Sequence, residues 1–119
     1  MRKRDELSRP DSCMSRARQD EMVFVLLSRD AAAPETIRYW ANQRVRLGKN
    51  KPDDAQIVEA MACAAVMELE KREASLISRI NGDGHSVAVH NSLMEELAEV
   101  QVEMMAIECS PLHCSTAKE

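Results

Sequence analysis

The sequence has few aromatic residues, glycines and prolines. Among 119 residues there are one Trp, one Tyr, one Phe, three Gly and four Pro. β-Sheets favour aromatic and β-branched side chains and need turn residues, so this composition disfavours a sheet. What the chain has in quantity is Ala, Glu, Met, Leu and Arg, the residues that form helices most readily. We therefore predict an all-α fold, and the length fits one domain.

Long hydrophobic runs are also missing. The most hydrophobic stretch is residues 22–27, and no uninterrupted apolar run exceeds the eight residues of positions 60–67, whereas a membrane-spanning helix needs about 20 apolar residues. The basic amino end is not followed by the apolar segment of a secretory signal. We expect a cytoplasmic protein that binds no membrane. In a reducing compartment its four cysteines are predicted to be free thiols, with Cys63 as a small core residue.

Charge is segregated along the chain, although the net charge is only −4. Residues 1–51 carry 12 basic and 7 acidic side chains, whereas residues 82–119 carry 1 basic and 7 acidic. Such a chain can fold back on itself, pair head to tail or offer its basic part to an anionic ligand. The simpler alternative is that both regions are solvated surfaces.

The amino-terminal part contains two unlike segments. Residues 1–20 are rich in charge and poor in large apolar side chains, which predicts a flexible basic arm. Residues 22–27 have strand-type side chains, but no convincing second strand exists for them to pair with. We interpret residues 22–27 as a short buried helix, with a strand as the alternative. This helix opens a single helical domain over residues 21–109, and residues 110–119 form a flexible tail.

Helix start and stop signals define three further helices. Pro34 and Gly48 bound a helix over residues 34–47, which completes a shorter N-terminal helix pair. Residues 53–80 contain no Gly or Pro and form a long helix. The last helix spans residues 92–108 from a capping motif at Ser92, with an earlier start near Ser86 as the alternative. We predict that the two long helices form an antiparallel hairpin.

Apolar residues of the last helix repeat at alternating steps of four and three, the spacing of a coiled-coil seam. A second apolar line with Met94, Val102 and Met105 exceeds what one neighbouring helix can cover. We therefore expect a homo-oligomer. The predicted interface residues are Leu93, Met94, Leu97, Val100, Met104, Met105 and Ile107.

Cationic and aromatic residues cluster between positions 38 and 49. Guanidinium groups bind phosphates and an aromatic ring stacks on a base, so the cluster predicts a site for a small anionic or nucleotide ligand. The predicted ligand-binding residues are Arg38, Tyr39, Trp40, Arg44, Arg46 and Lys49. One alternative makes Trp40 a core anchor beside solvated cations. Another is duplex DNA binding, which the negative net charge and the long connection between the helices disfavour.

Sequence motifs of several enzyme classes are missing. There is no glycine-rich phosphate loop, no Gly-x-Ser-x-Gly elbow and no His-Glu-x-x-His pattern. A Cys–His catalytic pair formed by folding is the disfavoured alternative. Cys109, His113 and Cys114 cluster near the carboxyl end, whereas His85 and His90 lie at the other end of the last helix, which holds His90 about 25 Å from Cys109. We expect neither an enzyme nor a metal or cofactor site.

Residues 21–70 contain a specific pattern of apolar, proline and glycine positions. It consists of Val23, Phe24, Val25, Leu26, Leu27, Asp30, Ala33, Pro34, Ile37, Trp40, Ala41, Gly48, Ala60, Ala64 and Met67. This pattern resembles a family of short proteins encoded by bacteriophages and prophages, which implies a phage origin and the cytosol of a bacterial host. The outline is also similar to phage anti-defence sponges, which capture cyclic nucleotide immune signals between their subunits.

These observations lead to three functional hypotheses. The first is a non-enzymatic phage accessory protein that sequesters a host ligand, such as a nucleotide signal, or blocks a host protein. The second is a structural or protein–protein interaction module, in which Glu95, Glu99 and Glu103 meet a basic partner. The third and least favoured is a DNA-binding regulator.

Overall fold

The computed structural model describes residues 1–108, and all secondary structure in that part of the chain is helical. The prediction of an all-α fold is therefore confirmed. The fold consists of two short helices followed by three longer ones. They are α1 (Lys3–Ser8), α2 (Cys13–Arg16), α3 (Ala33–Arg46), α4 (Ala55–Ile80) and α5 (Val87–Glu108).

Helix α3 begins and ends close to the predicted residues. Pro34 lies in its first turn, where a missing N–H costs no intrahelical hydrogen bond, and Glu35 lies beside it at the positive end of the helix dipole. The chain leaves the helix through Gly48, whose φ of 69° is in the left-handed region that glycine adopts most easily. This exit directs the chain towards α4, on which α3 packs with Ala41 buried.

Helix α4 is the longest element, with 26 residues. At about 1.5 Å per residue it spans roughly 39 Å, and the molecule is 54 Å long in its longest dimension. A turn built by Asp54 precedes it, because the Asp54 carboxylate accepts the Lys51 N–H at 2.8 Å and the Asn50 side-chain amide at 3.1 Å. A loop over residues 81–86, which contains Gly84 with a φ of 93°, connects α4 to α5.

Helix α5 starts earlier than the capping motif at Ser92 predicts. The helix begins at Val87, and the Ser86 hydroxyl accepts the backbone N–H of Val89 at 3.3 Å. The alternative start near Ser86 is therefore correct, and the start at Ser92 is wrong. A capping motif indicates only that a helix could start there. The Ser86 hydroxyl accepts a free N–H group of the first turn more than one and a half turns earlier, so the helix starts there instead.

The main hydrophobic core lies where α4 and α5 pack against each other. Its buried residues are Leu69 and Leu76 from α4 and Leu93 and Val100 from α5. Half-buried apolar side chains surround them, namely Ile80, Leu97, Met104 and Ile107. The core thus buries one side of each long helix and leaves the other side without a core contact from these residues.

The structure corrects the prediction for residues 22–27. These residues form neither a helix nor a strand, and most of their side chains are exposed, Phe24 by 85%. The short buried helix is therefore wrong, and α3 has no helical partner from this segment. A six-residue apolar run is too short to hold a helix unless packing stabilises it, and nothing within residues 1–108 covers it fully.

Residues 1–20 contain α1 and α2, whereas the sequence predicts a flexible arm. The guanidinium group of Arg2 hydrogen-bonds to the carboxylates of Glu70 on α4 and Glu108 on α5. Ser12 caps α2 by accepting the N–H of Ser15 at 3.1 Å. The arm is thus in contact with the long helices in the structure, and its mobility in solution stays a prediction.

Several predictions concern cysteines and the carboxyl end. Cys13 and Cys63 are free thiols, and Cys63 is half-buried on α4. The predicted cluster of Cys109, His113 and Cys114 and the predicted tail over residues 110–119 lie outside the described residues. Within residues 1–108, none of the helices combines the length and apolar character needed to cross a membrane.

Candidate functional site

The predicted ligand site lies on α3, where the structure divides its six residues into two groups. Arg38 belongs to the first group, because it forms a two-pronged ion pair with Glu68 of α4. The guanidinium Nη1 and Nη2 atoms lie 2.6 Å and 2.9 Å from the two carboxylate oxygens. These hydrogen bonds raise the pKa of Arg38 and lower the pKa of Glu68. Arg38 therefore links α3 to α4, and two of its five N–H donors are occupied by Glu68.

Arg44 and Trp40 also interact within the chain. The Arg44 guanidinium carbon lies 5.9 Å from the centre of the Trp40 ring, within the range of a cation–π contact. Its Nε atom donates to the Asn50 side-chain oxygen at 2.7 Å. Trp40 is 41% exposed, so the structure does not support the alternative in which it anchors the core. Arg44 thus links α3 to the loop that precedes α4, and the Trp40 ring lies against Arg44.

The second group consists of Tyr39, Arg46 and Lys49, whose side chains are exposed. None of the three forms a side-chain hydrogen bond or ion pair with any residue in the part of the chain that the structure describes. Tyr39 and Arg46 are seven residues apart, about two helical turns, and so lie on the same side of α3. A free aromatic ring and a free guanidinium group thus share one surface.

A large cavity lies elsewhere in the molecule, and none of the six predicted ligand residues lines it. Its volume is about 1000 Å³, it opens to solvent, and it is lined by α1, residues 23–28, α4 and the carboxyl end of α5. Apolar side chains such as Phe24, Val66 and Met67 share its wall with charged ones such as Arg2 and Glu70. Sequence reasoning missed this cavity, although the apolar run over residues 22–27 was its visible signal.

The predicted interface residues of α5 fall on two faces. We call the α4-facing side the inner face, and it contains five of the seven predicted residues. These are Leu93, Leu97, Val100, Met104 and Ile107. The other two, Met94 and Met105, are exposed, together with Val87 and Val102. Successive residues of an α-helix are rotated by about 100° around its axis. These four residues therefore lie on the far side of α5, rotated by roughly 100–180° from the inner face. We call them the outer apolar line.

His85 and His90 form a pair at the amino end of α5. The Nε2 atom of His85 lies 3.2 Å from the Nδ1 atom of His90, and the two rings are nearly parallel, with centroids 5.4 Å apart. Within residues 1–108, no three His, Cys, Asp or Glu side chains are placed to hold a metal ion together. These are two of the four ligands that zinc usually takes.

Comparison with known protein families, curated proteins and solved structures finds no match for this chain. Three surfaces of the described residues remain exposed and could bind a partner: the free side chains of α3, the outer apolar line of α5 and the apolar residues 22–27.

Proposed function

We propose that this chain is a non-enzymatic accessory protein of a bacteriophage or prophage that acts by binding other proteins in the cytosol of a bacterial host. It assembles with copies of itself and blocks a host protein. The phage origin follows from the resemblance of residues 21–70. In this proposal α4 and α5 form an antiparallel hairpin that presents the binding surfaces.

The outer apolar line of α5 is the observation that carries this proposal. Its large side chains remain exposed although α5 already packs on α4, and Met105 is exposed by 64%. Monomeric soluble proteins seldom leave extended apolar patches uncovered, and such patches mark protein interfaces. A line that runs from Val87 to Met105 along a helix has the shape of a helix–helix contact. We therefore assign this line to self-association.

An acidic line beside the outer apolar line supports contact with a host protein. It consists of Glu95, Glu99 and Glu103, which form no salt bridge with any residue between positions 1 and 108. Repeated carboxylates of one sign repel one another and attract a cationic surface. A host protein with a basic patch next to an apolar groove is the partner whose chemistry fits this face.

Sedimentation equilibrium at micromolar concentration tests the assignment of the outer apolar line. We expect the wild-type chain to form an oligomer that Met105→Glu weakens at least tenfold, because a carboxylate placed in the contact loses its hydration. Ala106→Glu adds the same charge one residue away, on the side where the acidic line lies, and is expected to retain the oligomer. A wild-type chain that sediments as a monomer would overturn the self-association, as would equal effects of the two variants.

A second candidate function is suggested by the free side chains of α3. Tyr39 and Arg46 share one exposed surface, and Lys49 follows at the end of the helix. A ring and cations in this arrangement suit a nucleotide with its phosphates. Under this alternative the oligomer sequesters a cyclic nucleotide signal, and the ligand-binding residues reduce to these three.

Calorimetric titration with cyclic di-AMP tests this second candidate. We expect Arg46→Ala to weaken binding at least tenfold, whereas Arg38→Ala has little effect because Arg38 is already paired with Glu68. Both variants remove one cation from the same helix, so net charge alone cannot separate them. Absence of binding to the wild-type chain, or equal losses in both variants, would leave protein binding as the proposed function.

A further inference from the structure

The exposed side of α3 combines positive charge with large apolar side chains. Residues 38–51 contain five Lys and Arg residues and no Asp or Glu. Two of these cations, Arg46 and Lys49, form no ion pair with any residue between positions 1 and 108. Tyr39 and Leu47 beside them are each exposed by 67%. We call these four residues the basic face of α3.

Carboxylates near the basic face do not balance its charge. Asp53 and Asp54 follow in the turn before α4. Arg38 is already paired with Glu68, so four of the five cations stand against these two carboxylates. The carboxyl end of α3 and the turn after it therefore keep an excess of positive charge, which favours a negatively charged partner.

Helix α5 has the opposite charge. It contains five glutamates and no Lys or Arg. Its two salt bridges within residues 1–108 join Glu96 to Arg72 and Glu108 to Arg2. The hydrogen bond to Glu96, and then the charges of two members of the acidic line, raise the pKa of Arg72. Three glutamates are still left without a salt bridge, and they lie beside the outer apolar line.

The fold does not bring these two surfaces together within one copy. Helices α3 and α5 each pack against α4, and no salt bridge joins α3 to α5 in the part of the chain that the structure describes. The positive and negative regions of the sequence therefore do not neutralise each other here by folding back. A second copy can supply the opposite charge to each surface.

We infer that the basic face of α3 binds the outer apolar line and the acidic line of α5 in a second copy of this chain. This inference rests on the self-association proposed above and identifies the other side of that contact. Helix α3 has 14 residues, roughly 21 Å of length, which covers most of the outer apolar line. Tyr39 and Arg46 are of the residue types that contribute most to binding at interfaces.

The contact joins two different surfaces, so copies associate head to tail. Each copy then keeps one surface free for the next copy, which builds a closed ring or an open chain. In an open chain the copy at one end leaves its α5 uncovered. A host protein with a basic patch beside an apolar groove resembles the basic face of α3 and binds at that end.

Sedimentation equilibrium of the full chain with charge-reversed variants tests the inferred contact. We expect Arg46→Glu to weaken the wild-type assembly at least tenfold, because it places a carboxylate against the acidic line. Lys71→Glu is the matched control and is expected to retain the assembly. It makes the same change of charge at an exposed position of α4, where Lys71 forms no salt bridge with any residue from 1 to 108.

The outcomes separate this inference from the proposed self-association. An Arg46→Glu chain that assembles like the wild type, or equal losses in the two variants, would overturn the contact through α3. Self-association through the outer apolar line would then still stand. A wild-type chain that sediments as a monomer would overturn both.

Mixing two variants tests whether the contact joins two different surfaces. Arg46→Glu alters the α3 side and Met105→Glu alters the α5 side, so each variant alone is expected to sediment as a monomer. In the mixture, the unaltered α3 of the Met105→Glu chain meets the unaltered α5 of the Arg46→Glu chain. We expect a 1:1 complex with the mass of two chains, which also shows that both variants are folded. Absence of this complex, with both variants helical by circular dichroism, would overturn the head-to-tail contact.

Substitutions of Tyr39 test the apolar part of the contact. We expect Tyr39→Ala to weaken the assembly at least tenfold, because it removes a large ring from the contact with the outer apolar line. Tyr39→Phe keeps the ring and is expected to retain the assembly. The same sedimentation measurement compares the two variants. A Tyr39→Ala chain that assembles like the wild type would contradict the inferred contact.

Discussion

The inner and outer faces of α5 have similar apolar residues but different surroundings. On the inner face Leu93 and Val100 are buried against α4, whereas on the outer apolar line Met94 and Met105 face solvent. The spacing of apolar residues alone therefore does not tell which face the chain covers itself. The two faces carry separate tasks: the inner one holds the fold together, and the outer one is free to bind.

The largest expected effect comes from changing a core residue of α4 that packs against the inner face of α5. Leu76 is 2% exposed and lies in the core against α5, whereas its neighbour Ile77 is 40% exposed. We expect Leu76→Ala to lower the free energy of unfolding by about 2–5 kcal/mol, because it removes buried methyl groups and leaves a cavity. Ile77→Ala is the matched control, and we expect it to lower the free energy of unfolding by much less.

Urea unfolding monitored by circular dichroism measures both variants. The comparison requires one protein concentration, because association also contributes to stability. If Ile77→Ala cost as much as Leu76→Ala, the packing of α4 and α5 described here would be wrong.

A smaller effect is expected from Met105→Ala on the outer apolar line. Because this variant weakens the contact between copies, we expect its unfolding midpoint to become independent of dilution at a higher protein concentration than that of the wild type. The apparent free energy of unfolding of the wild-type oligomer should fall by about 1.4 kcal/mol per mole of dimer for each tenfold dilution, because its subunits dissociate when they unfold. Equal concentration dependence in both proteins would show that Met105 lies outside the contact between copies.

The same contrast between covered and uncovered surfaces explains what could be predicted from the sequence. The start of α3 and the end of α4 follow from local signals, Pro34 and the turn residues after Ile80, which act whatever the rest of the chain does. Which of the two apolar lines of α5 packs on α4, and the pairing of Arg38 with Glu68, depend on how helices pack. Contacts between distant residues leave no signal in local spacing.

The segment over residues 22–27 shows the limit most clearly. Its side chains indicate a strand, but the chain offers no second strand, and that led to the incorrect expectation of a helix. The structure leaves the segment irregular and exposed. Side-chain preference alone does not tell whether the chain folds another of its elements over such a segment.

The smallest expected effect concerns the ion pair of Arg38 and Glu68, which joins α3 to α4 at the surface. The guanidinium group lowers the pKa of Glu68 in the folded chain. A lowered pKa means that the charged carboxylate stabilises the fold at neutral pH. That contribution is present above the ordinary pKa of glutamate and disappears as the pH falls through the lowered value, because the carboxyl group is then protonated in both states.

We therefore expect Glu68→Gln to lower the melting temperature slightly at pH 7 and to match the wild type in acid. Glu73→Gln on the same helix is the control, since Glu73 forms no salt bridge with any residue in the described range 1–108. Thermal unfolding of the three proteins across this pH range provides the measurement. A difference for Glu68→Gln that stayed constant down to strongly acidic pH would show that the residue contributes by packing, since a contribution from its charge must vanish when the carboxylate is protonated.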